Sequence, residues 1–117
     1  MRKWREVPVG ATIYTVYLAT ENELRKVSDQ ENAVAYHNGD SAKIYLLNTL
    51  SPSQAASALT HELLHAVMQE SAARTHIENL AGNRWNDAAE EIFVRSIENC
   101  LTPALMATGW KPLGRKK

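Results

Sequence analysis

Residues 51–73 read SPSQAASALTHELLHAVMQESAA, and this stretch predicts the long helix around which the rest of the fold is arranged. Ser51 can cap the first turn, Pro52 suits the first helical position, and Gln54 completes a capping-box pattern. Neither glycine nor proline interrupts the segment after Pro52. We therefore expect a helix that runs from Pro52 to about Ala73.

The centre of this helix carries the run His61-Glu62-Leu63-Leu64-His65. Two histidines four residues apart lie about 40° apart around a helix axis, so both imidazoles can reach one ion on the same side. Neutral imidazole is a good ligand for Zn²⁺, which lowers the pKa of a bound water to about 7 and polarises a carbonyl group. Glu62 lies beside the pair and can take the proton of the attacking water. The run predicts a zinc site formed by His61 and His65, with Glu62 as general base.

A catalytic zinc ion usually has three protein ligands and one open position, so another side chain is needed. The downstream candidates are His76 and the pair Glu90-Glu91. On a helix, Glu90 shares its face with apolar side chains: Phe93, Val94, Ile97 and Leu101. A lone carboxylate on such a face is costly to bury unless a cation pairs with it. Glu91 shares its face with Arg95 and Glu98, which is typical of a solvated stripe. We predict Glu90 as the third ligand, with Glu91 and His76 as alternatives.

Three segments before the long helix have the character of strands. Residues 12–18 (TIYTVYL) are rich in β-branched and aromatic side chains. Residues 33–37 (AVAYH) and 42–47 (AKIYLL) flank Asn38-Gly39-Asp40, which favours a tight turn. We expect these two segments to form an antiparallel hairpin in which His37 is exposed.

The remaining segments predict further helices and a loop. Residues 21–27 suit a short helix or turn, residues 75–85 a loop, and a second long helix should begin at Asn86 or Asp87 and end near Leu101. The order of these elements predicts an α+β fold. In it, a small three-stranded, largely antiparallel sheet packs against the histidine helix and the ligand-bearing helix that follows.

The composition indicates one ordinary globular domain over residues 1–117, since 44% of the chain is apolar and 22% is charged. Lys plus Arg and Asp plus Glu both count 13, so there is no electrostatic reason to expect nucleic acid or an anionic membrane as partner. No segment approaches the roughly 18 apolar residues of a membrane helix, and no signal peptide is evident, so we expect a cytoplasmic protein. The basic residues Arg2, Lys3 and Arg5 and the basic tail 111–117 should be irregular, solvated termini.

The chain resembles the small HExxH-plus-Glu metallopeptidases of phages and bacteria, akin to the ImmA/IrrE group and other minimal gluzincins. The resemblance covers roughly residues 12 to 105 and rests on four segments: 44–47 (IYLL), 51–54 (SPSQ), 59–66 (LTHELLHA) and 90–94 (EEIFV). It implies a zincin-like fold, with Zn²⁺ held by His61, His65 and a glutamate of the following helix and with Glu62 as general base. It also implies a protein or peptide substrate that pairs with an edge strand, for which residues 43–48 are the candidate.

Two functions stay open at this point. The first is an active zinc endopeptidase. The alternative is a non-catalytic zincin-fold binding module with structural zinc, for example an antirepressor-like phage protein. Residues 92–95 (IFVR) differ from the Ala-Asn-x-Phe-Ala run of ImmA-like repressor-cleaving relatives, which argues against that specific role. An active peptidase also needs a donor that stabilises the oxyanion, and four side chains are candidates: His76, Arg84, Tyr36 and Tyr45.

Overall fold

The computed structural model describes residues 1–82 and 85–109, and within these ranges the chain forms four strands and four helices. In chain order they are β1 (Arg2–Val9), β2 (Thr12–Ala19), α1 (Glu21–Ser28), β3 (Ala35–Asn38), β4 (Lys43–Leu47), α2 (Pro52–Glu70), α3 (Ala73–Ala81) and α4 (Asp87–Ala107). The fold is α+β. None of these helices combines the length and the apolar character that crossing a membrane requires. The tail 111–117, expected to be irregular, lies outside the described residues.

The sheet has four strands in the order β1-β2-β4-β3 and is mixed. β1 pairs antiparallel with β2, β2 pairs parallel with β4, and β4 pairs antiparallel with β3. The expectation of a zincin-like, three-stranded, largely antiparallel sheet is therefore wrong. The hairpin of β3 and β4 is as predicted, but the parallel pair β2–β4 joins segments that are distant in the sequence, and their local patterns do not specify partners.

The strand β1 was not predicted from the sequence. Its sequence predicts a solvated terminus, because it carries three cations and Pro8 and has no regular apolar alternation. In the structure β1 is an edge strand with mostly exposed side chains, a position that tolerates both charge and proline. Trp4 and Val7 pack against the core and Val9 is buried, which is sufficient to hold the strand on β2.

The sheet separates α2 from α1. On the α2 face, eight buried residues form the main core: Val9, Tyr14, Val16, Leu18, Ile44, Leu46, Leu59 and Ala66. On the opposite face, Leu24 of α1 packs with Ala19 and Tyr45. Successive strand residues point to opposite faces, so the alternation of β2 and β4 supplies both layers. The core of the protein thus fixes α2 firmly on one side of the sheet.

The N-terminus of α2 agrees with the predicted capping box. The Ser51 hydroxyl accepts a hydrogen bond from the Gln54 backbone N–H, and the Gln54 side chain accepts one from the Ser51 backbone N–H. Pro52 occupies the first turn as expected. These contacts satisfy two backbone donors that the helix itself leaves free.

The C-terminus of α2 lies at Glu70, three residues before the expected end at Ala73. Ala72 adopts a left-handed backbone with a φ of 59°, and α3 begins after it at Ala73 and covers residues 75–81 of the segment that the sequence predicts as a loop. Nothing in the local sequence requires this break. At the break the Ser71 hydroxyl accepts from the Ala73 N–H, and Arg74 at the start of α3 forms a 2.7 Å ion pair with Asp87 of α4.

Helix α4 packs on α2 through fewer apolar contacts than its sequence indicates. Asn86 caps it as predicted, but the helix continues to Ala107 and includes Pro103. Val94 is fully buried and Glu90 is nearly so. Three apolar side chains that were expected to share this buried face are at least 36% exposed: Phe93, Ile97 and Leu101. The face of α4 that meets α2 is therefore rotated toward its polar stripe.

The topology also changes which strand is open to a partner. β4 lies between β2 and β3, so residues 43–48 already have neighbours on both sides. The expectation that this segment pairs with an extended peptide is wrong. The free edges of the sheet are β1 and β3.

Two isoleucines of the sheet test the assignment of its faces. Replacing fully buried Ile44 with Ala should lower the free energy of unfolding by about 2–5 kcal/mol, because it removes core contacts and leaves a cavity. The matched control Ile13→Ala lies on β2 and is 55% exposed, so its effect should stay within about 0.5 kcal/mol. Urea unfolding measures both. Equal losses from the two variants would contradict the described register.

Candidate metal centre

Two histidines of α2 lie side by side at the junction with α4. The His61 and His65 rings have their centroids 5.0 Å apart at an interplanar angle of 67°. Their side chains retain only 16% and 19% exposure. The spacing of four residues brings both imidazoles to one side of the helix, as predicted.

Each histidine has one ring nitrogen bound to a carboxylate of α4. His61 Nδ1 lies 2.8 Å from Glu98 Oε1, and His65 Nδ1 lies 2.7 Å from Glu90 Oε2. An ionised carboxylate only accepts hydrogen bonds, so both Nδ1 atoms donate and carry the ring hydrogen. A neutral imidazole in this tautomer has a bare lone pair on Nε2. In this neutral form, each Nε2 lone pair could bind a cation.

The two Nε2 atoms face the same glutamate. Glu91 Oε1 lies 3.2 Å from His61 Nε2 and 3.0 Å from His65 Nε2. Two bare lone pairs and a carboxylate oxygen are all electron donors, and they repel one another unless a proton or a metal ion lies between them. Burial lowers the pKa of His65, but the hydrogen bonds to Glu90 and Glu91 outweigh it and raise this pKa, which favours a proton in this position.

The charges around the pair are unbalanced. Four carboxylates surround the two imidazoles: Glu62, Glu90, Glu91 and Glu98. Two guanidinium groups compensate in part, since Arg95 lies 2.8 Å from Glu91 and Arg74, which also binds Asp87, lies 3.5 Å from Glu90. Because Arg74 is shared with Asp87 and Glu78, carboxylates outnumber the guanidinium groups here, and a divalent cation would reduce this excess of negative charge.

The spacing of the donor atoms suits zinc. One ligand atom each from His61, His65 and Glu91 lies within 4.8 Å of the other two. Atoms bonded to zinc at about 2.0–2.1 Å in a tetrahedral arrangement lie roughly 3.4 Å from one another. The 3.0 and 3.2 Å separations between Glu91 and the two Nε2 atoms are close to this value. The donor set, two imidazoles and one carboxylate, also matches a catalytic zinc site with one open position.

The structure places the three candidates for the third ligand differently. Glu91, the first alternative, contacts both Nε2 atoms. Glu90, the predicted ligand, instead contacts Nδ1 of His65, on the side of the ring away from the shared space. His76, the other alternative, is exposed on α3 and is not part of the cluster within the described residues. The predicted pair His61 and His65 is brought together, and Glu91 rather than Glu90 joins it.

The predicted general base lies beside this cluster. Glu62 is half-buried and lines, together with His61, an open cleft of about 390 Å³. Burial raises the pKa of its carboxyl, although the neighbouring His61 and His65 act in the opposite direction. Among the residues that the structure describes, none forms a hydrogen bond with this carboxylate. It is therefore free to bind a water molecule in the cleft.

Sequence reasoning missed the role of Glu98, which it placed on a solvated stripe. Its side chain is 13% exposed, holds His61 through Oε1 and accepts a hydrogen bond from the Ser57 hydroxyl through Oε2. A signal was available, since Glu91 and Glu98 are seven residues apart and so lie on one helix face two turns from each other. The sequence pattern could not show that this face of α4 packs against α2.

His37 is the second residue that sequence reasoning missed, because it expected an exposed hairpin position. It is half-buried, and its ring stacks against that of His65 at a centroid distance of 6.3 Å. Burial lowers its pKa, and the charge of His65 acts in the same direction. A signal was again present, because His37 pairs with core residue Ile44 and therefore shares the α2 face of the sheet.

A polar cluster holds the end of α2 against the sheet. Glu70, the last residue of α2, accepts hydrogen bonds from the Thr12 hydroxyl at 2.6 Å and from the Tyr14 hydroxyl at 2.8 Å. Burial, reinforced by the hydrogen bond to Glu70, raises the pKa of Tyr14 to about 12. The hydroxyl stays protonated and also contacts His37 Nε2 at 3.2 Å. The cluster joins α2, β2 and β3 at the His65 end of the site.

Three of the four candidates for an oxyanion donor, those within the described residues, are not brought to the metal centre. Tyr36 and Tyr45 stack on each other at 6.3 Å in the core that packs with α1, on the far side of the sheet. His76 is exposed on α3. Arg84 lies outside the described residues.

The comparisons with known proteins add no relative. The chain matches no family model, no curated protein and no solved structure. The interpretation of the site therefore depends on its own residues and geometry.

The polar cluster at the end of α2 predicts a pH dependence of stability. The hydrogen bond from Thr12, followed by that from Tyr14, lowers the pKa of Glu70. A depressed carboxyl pKa stabilises the fold above the ordinary glutamic acid pKa of about 4.3, and this stabilisation is lost as the pH falls through the folded value. Relative to Glu70→Gln, the wild type should lose stability between pH 7 and pH 3. Urea midpoints measure the difference.

The control for this experiment is Glu31→Gln, an exposed position between α1 and β3. It should follow the wild type at both pH values. If Glu70→Gln and Glu31→Gln show the same pH dependence, the cluster does not contribute to stability in the way described.

Proposed function

We propose that this chain is a zinc-dependent hydrolase that cleaves a peptide bond, with zinc held by His61, His65 and Glu91. The observation that carries the proposal is the single Glu91 carboxylate facing two Nε2 atoms whose Nδ1 partners are already bound to carboxylates. Such an arrangement is electrostatically unfavourable without a cation. In this proposal Glu91 takes the ligand role that the sequence analysis predicted for Glu90.

Glu90 and Glu98 then act as orienting groups. Each accepts a hydrogen bond from the Nδ1 of one ligand histidine, which fixes the tautomer and the angle of the ring and makes Nε2 a stronger donor toward a metal. Ser57 holds Glu98, and Arg74 approaches Glu90 at 3.5 Å. This support explains why two carboxylates are buried next to the site without being ligands themselves.

Glu62 is the general base of the proposed reaction. When bound, zinc lowers the pKa of a water molecule and polarises the scissile carbonyl. The Glu62 carboxylate borders the same cleft as His61, has no hydrogen-bond partner among the described residues and is partly desolvated. It accepts the proton of the attacking water and then delivers it to the leaving amine. These are the properties that a general base requires.

The edge of β3 supports a peptide as substrate. The Leu47 N–H donates to the Val34 carbonyl, so Val34 is a hydrogen-bonded position in the pairing of β3 with β4. Hydrogen-bonded and non-bonded positions alternate in an antiparallel pair. The main-chain groups of Ala35 and His37 therefore point away from β4, toward the open edge. An extended peptide can add there as a fifth strand, beside the cleft that Ala35 lines.

The walls of the cleft are suited to an apolar side chain. Val34 is 47% exposed at its rim, and Leu50 and Ala58 line it from the loop before α2 and from α2 itself. A side chain of an extended substrate that enters beside Glu62 would cover these groups and remove them from water.

The proposed roles predict how strongly each substitution weakens zinc binding. Glu91→Gln should weaken zinc binding by about two orders of magnitude or more, because it removes a charged ligand. Glu90→Gln and Glu98→Gln should each weaken it by about 10–100-fold, as expected for groups that orient a ligand. Competition with a chromophoric zinc chelator measures the affinities, with Glu31→Gln as the unaffected control. A larger loss of zinc affinity from Glu90→Gln than from Glu91→Gln would indicate that Glu90, not Glu91, is the third ligand.

Catalysis is tested separately with Glu62→Gln. The wild type should cleave members of a quenched-fluorescent peptide library, and a metal chelator should abolish the cleavage. Glu62→Gln should retain zinc at wild-type stoichiometry and lose about 10²–10⁴-fold in rate, since it lacks the base. A wild type that binds zinc but cleaves neither the library nor unfolded casein would contradict the proposal and favour the non-catalytic binding module.

The role of the β3 edge is tested with Ala35→Pro, which removes the outward N–H from an edge position that tolerates proline. Loss of one substrate hydrogen bond should lower kcat/KM by about tenfold. Ala35→Ser, which keeps the N–H, is the matched control and should cleave like the wild type. Zinc affinity and the urea midpoint should be unchanged in both. Equal activity of the two variants would show that the substrate does not pair with this edge.

A further inference from the structure

The hydrogen bonds of Tyr14 determine which nitrogen of His37 carries the hydrogen. The single hydroxyl hydrogen of Tyr14 goes to Glu70 Oε2 at 2.8 Å, because a carboxylate can only accept. The 3.2 Å contact between the Tyr14 oxygen and His37 Nε2 is then a hydrogen bond in which Nε2 donates. Neutral His37 is therefore the Nε2–H tautomer, and its Nδ1 has an unshared lone pair.

The ring of His37 lies close to the proposed reaction site. Its ring centroid lies 5.6 Å from that of Tyr14, at an interplanar angle of 26°, and 6.3 Å from that of His65, at 10°. It lines a second cavity, of about 360 Å³, which also borders His65 and Glu90. Within residues 1–82 and 85–109, nothing hydrogen-bonds to His37 Nδ1. The cavity lies on the His65 side of the pair, whereas the cleft with Glu62 lies on the His61 side.

A substrate that crosses the two histidines extends from one cavity into the other. On the His65 side its main-chain N–H groups lose water and need acceptors. The carboxylate of Glu90 is already bound by His65 and approached by Arg74. His37 Nδ1 is an acceptor that no other group of the described protein uses.

We propose that His37 binds the substrate directly, its Nδ1 accepting a hydrogen bond from a main-chain N–H on the His65 side of the scissile bond. This inference rests on the proposed peptidase function. Tyr14 and Glu70 are positioning residues in this arrangement: they hold the tautomer that makes Nδ1 an acceptor.

The tautomer is tested first, and without any need for activity. Long-range ¹H–¹⁵N correlation spectra of the metal-free wild type at pH 8 should show His37 protonated at Nε2 and bare at Nδ1. In Tyr14→Phe, where the acceptor is missing, the two tautomers should mix. A bare Nε2 in the wild type would overturn the inference, and because no cleavage is measured, it would leave the proposed function untouched.

The substrate contact is tested with the best peptide from the library and its mono-N-methylated series. For the wild type, methylation of the contacted nitrogen should lower kcat/KM by about tenfold. For His37→Phe the unmethylated peptide should lose about as much, and the same methylation should then have little further effect.

Two conservative variants separate substrate contact from a structural role. The Asn side chain places an oxygen close to the position of Nδ1, so His37→Asn should restore part of kcat/KM. His37→Gln reaches toward the position of Nε2 and should not. Equal rates in the two variants, or an additive loss from methylation and His37→Phe, would overturn the inference. Absence of cleavage by the wild type would instead contradict the proposed function.

Discussion

Two imidazoles on α2 face three carboxylates on α4, and the need to neutralise that charge dominates the contact between the two helices. Val94 is the only fully buried apolar residue that α4 contributes among the described residues, while Glu90 is buried almost as completely. Burying a carboxylate is unfavourable unless hydrogen bonds and opposite charge compensate. Here hydrogen bonds from His61 and His65 provide part of the compensation, and a divalent cation would provide the rest.

The sheet matters to this centre because it fixes α2 at both ends of the histidine pair. Leu59 and Ala66 of α2 pack into the main core, and the last residue, Glu70, is hydrogen-bonded to β2. The same hydrogen-bonded cluster reaches His37 on β3, whose open edge borders the cleft. A single set of contacts therefore aligns the proposed metal ligands, the proposed substrate edge and the second cavity. Preorganisation of this kind is what a catalytic site requires.

The sequence allowed the helix of the histidine pair to be predicted with its capping box, and the hairpin of β3 and β4 as well. It favoured Glu90 as the third ligand, where we propose Glu91, because the helical-wheel argument assumed that the apolar face of α4 points inward. Phe93, Ile97 and Leu101 are instead more than a third exposed, and the polar stripe with Glu91 and Glu98 meets α2. Which face of α4 packs inward depends on the side chains of the neighbouring helix, and α2 presents two imidazoles there.

By itself, the amino-acid sequence determined the features that are local: where α2 begins, that His61 and His65 share one side of it, and that Glu62 stands between them in the chain. Helix geometry is enough to derive each of these. Only the tertiary structure decided the parallel pairing of β2 with β4, the rotation of α4 that brings Glu91 to both Nε2 atoms, and the position of His37 beside His65. These depend on contacts between residues far apart in the chain, about which local periodicity contains no information.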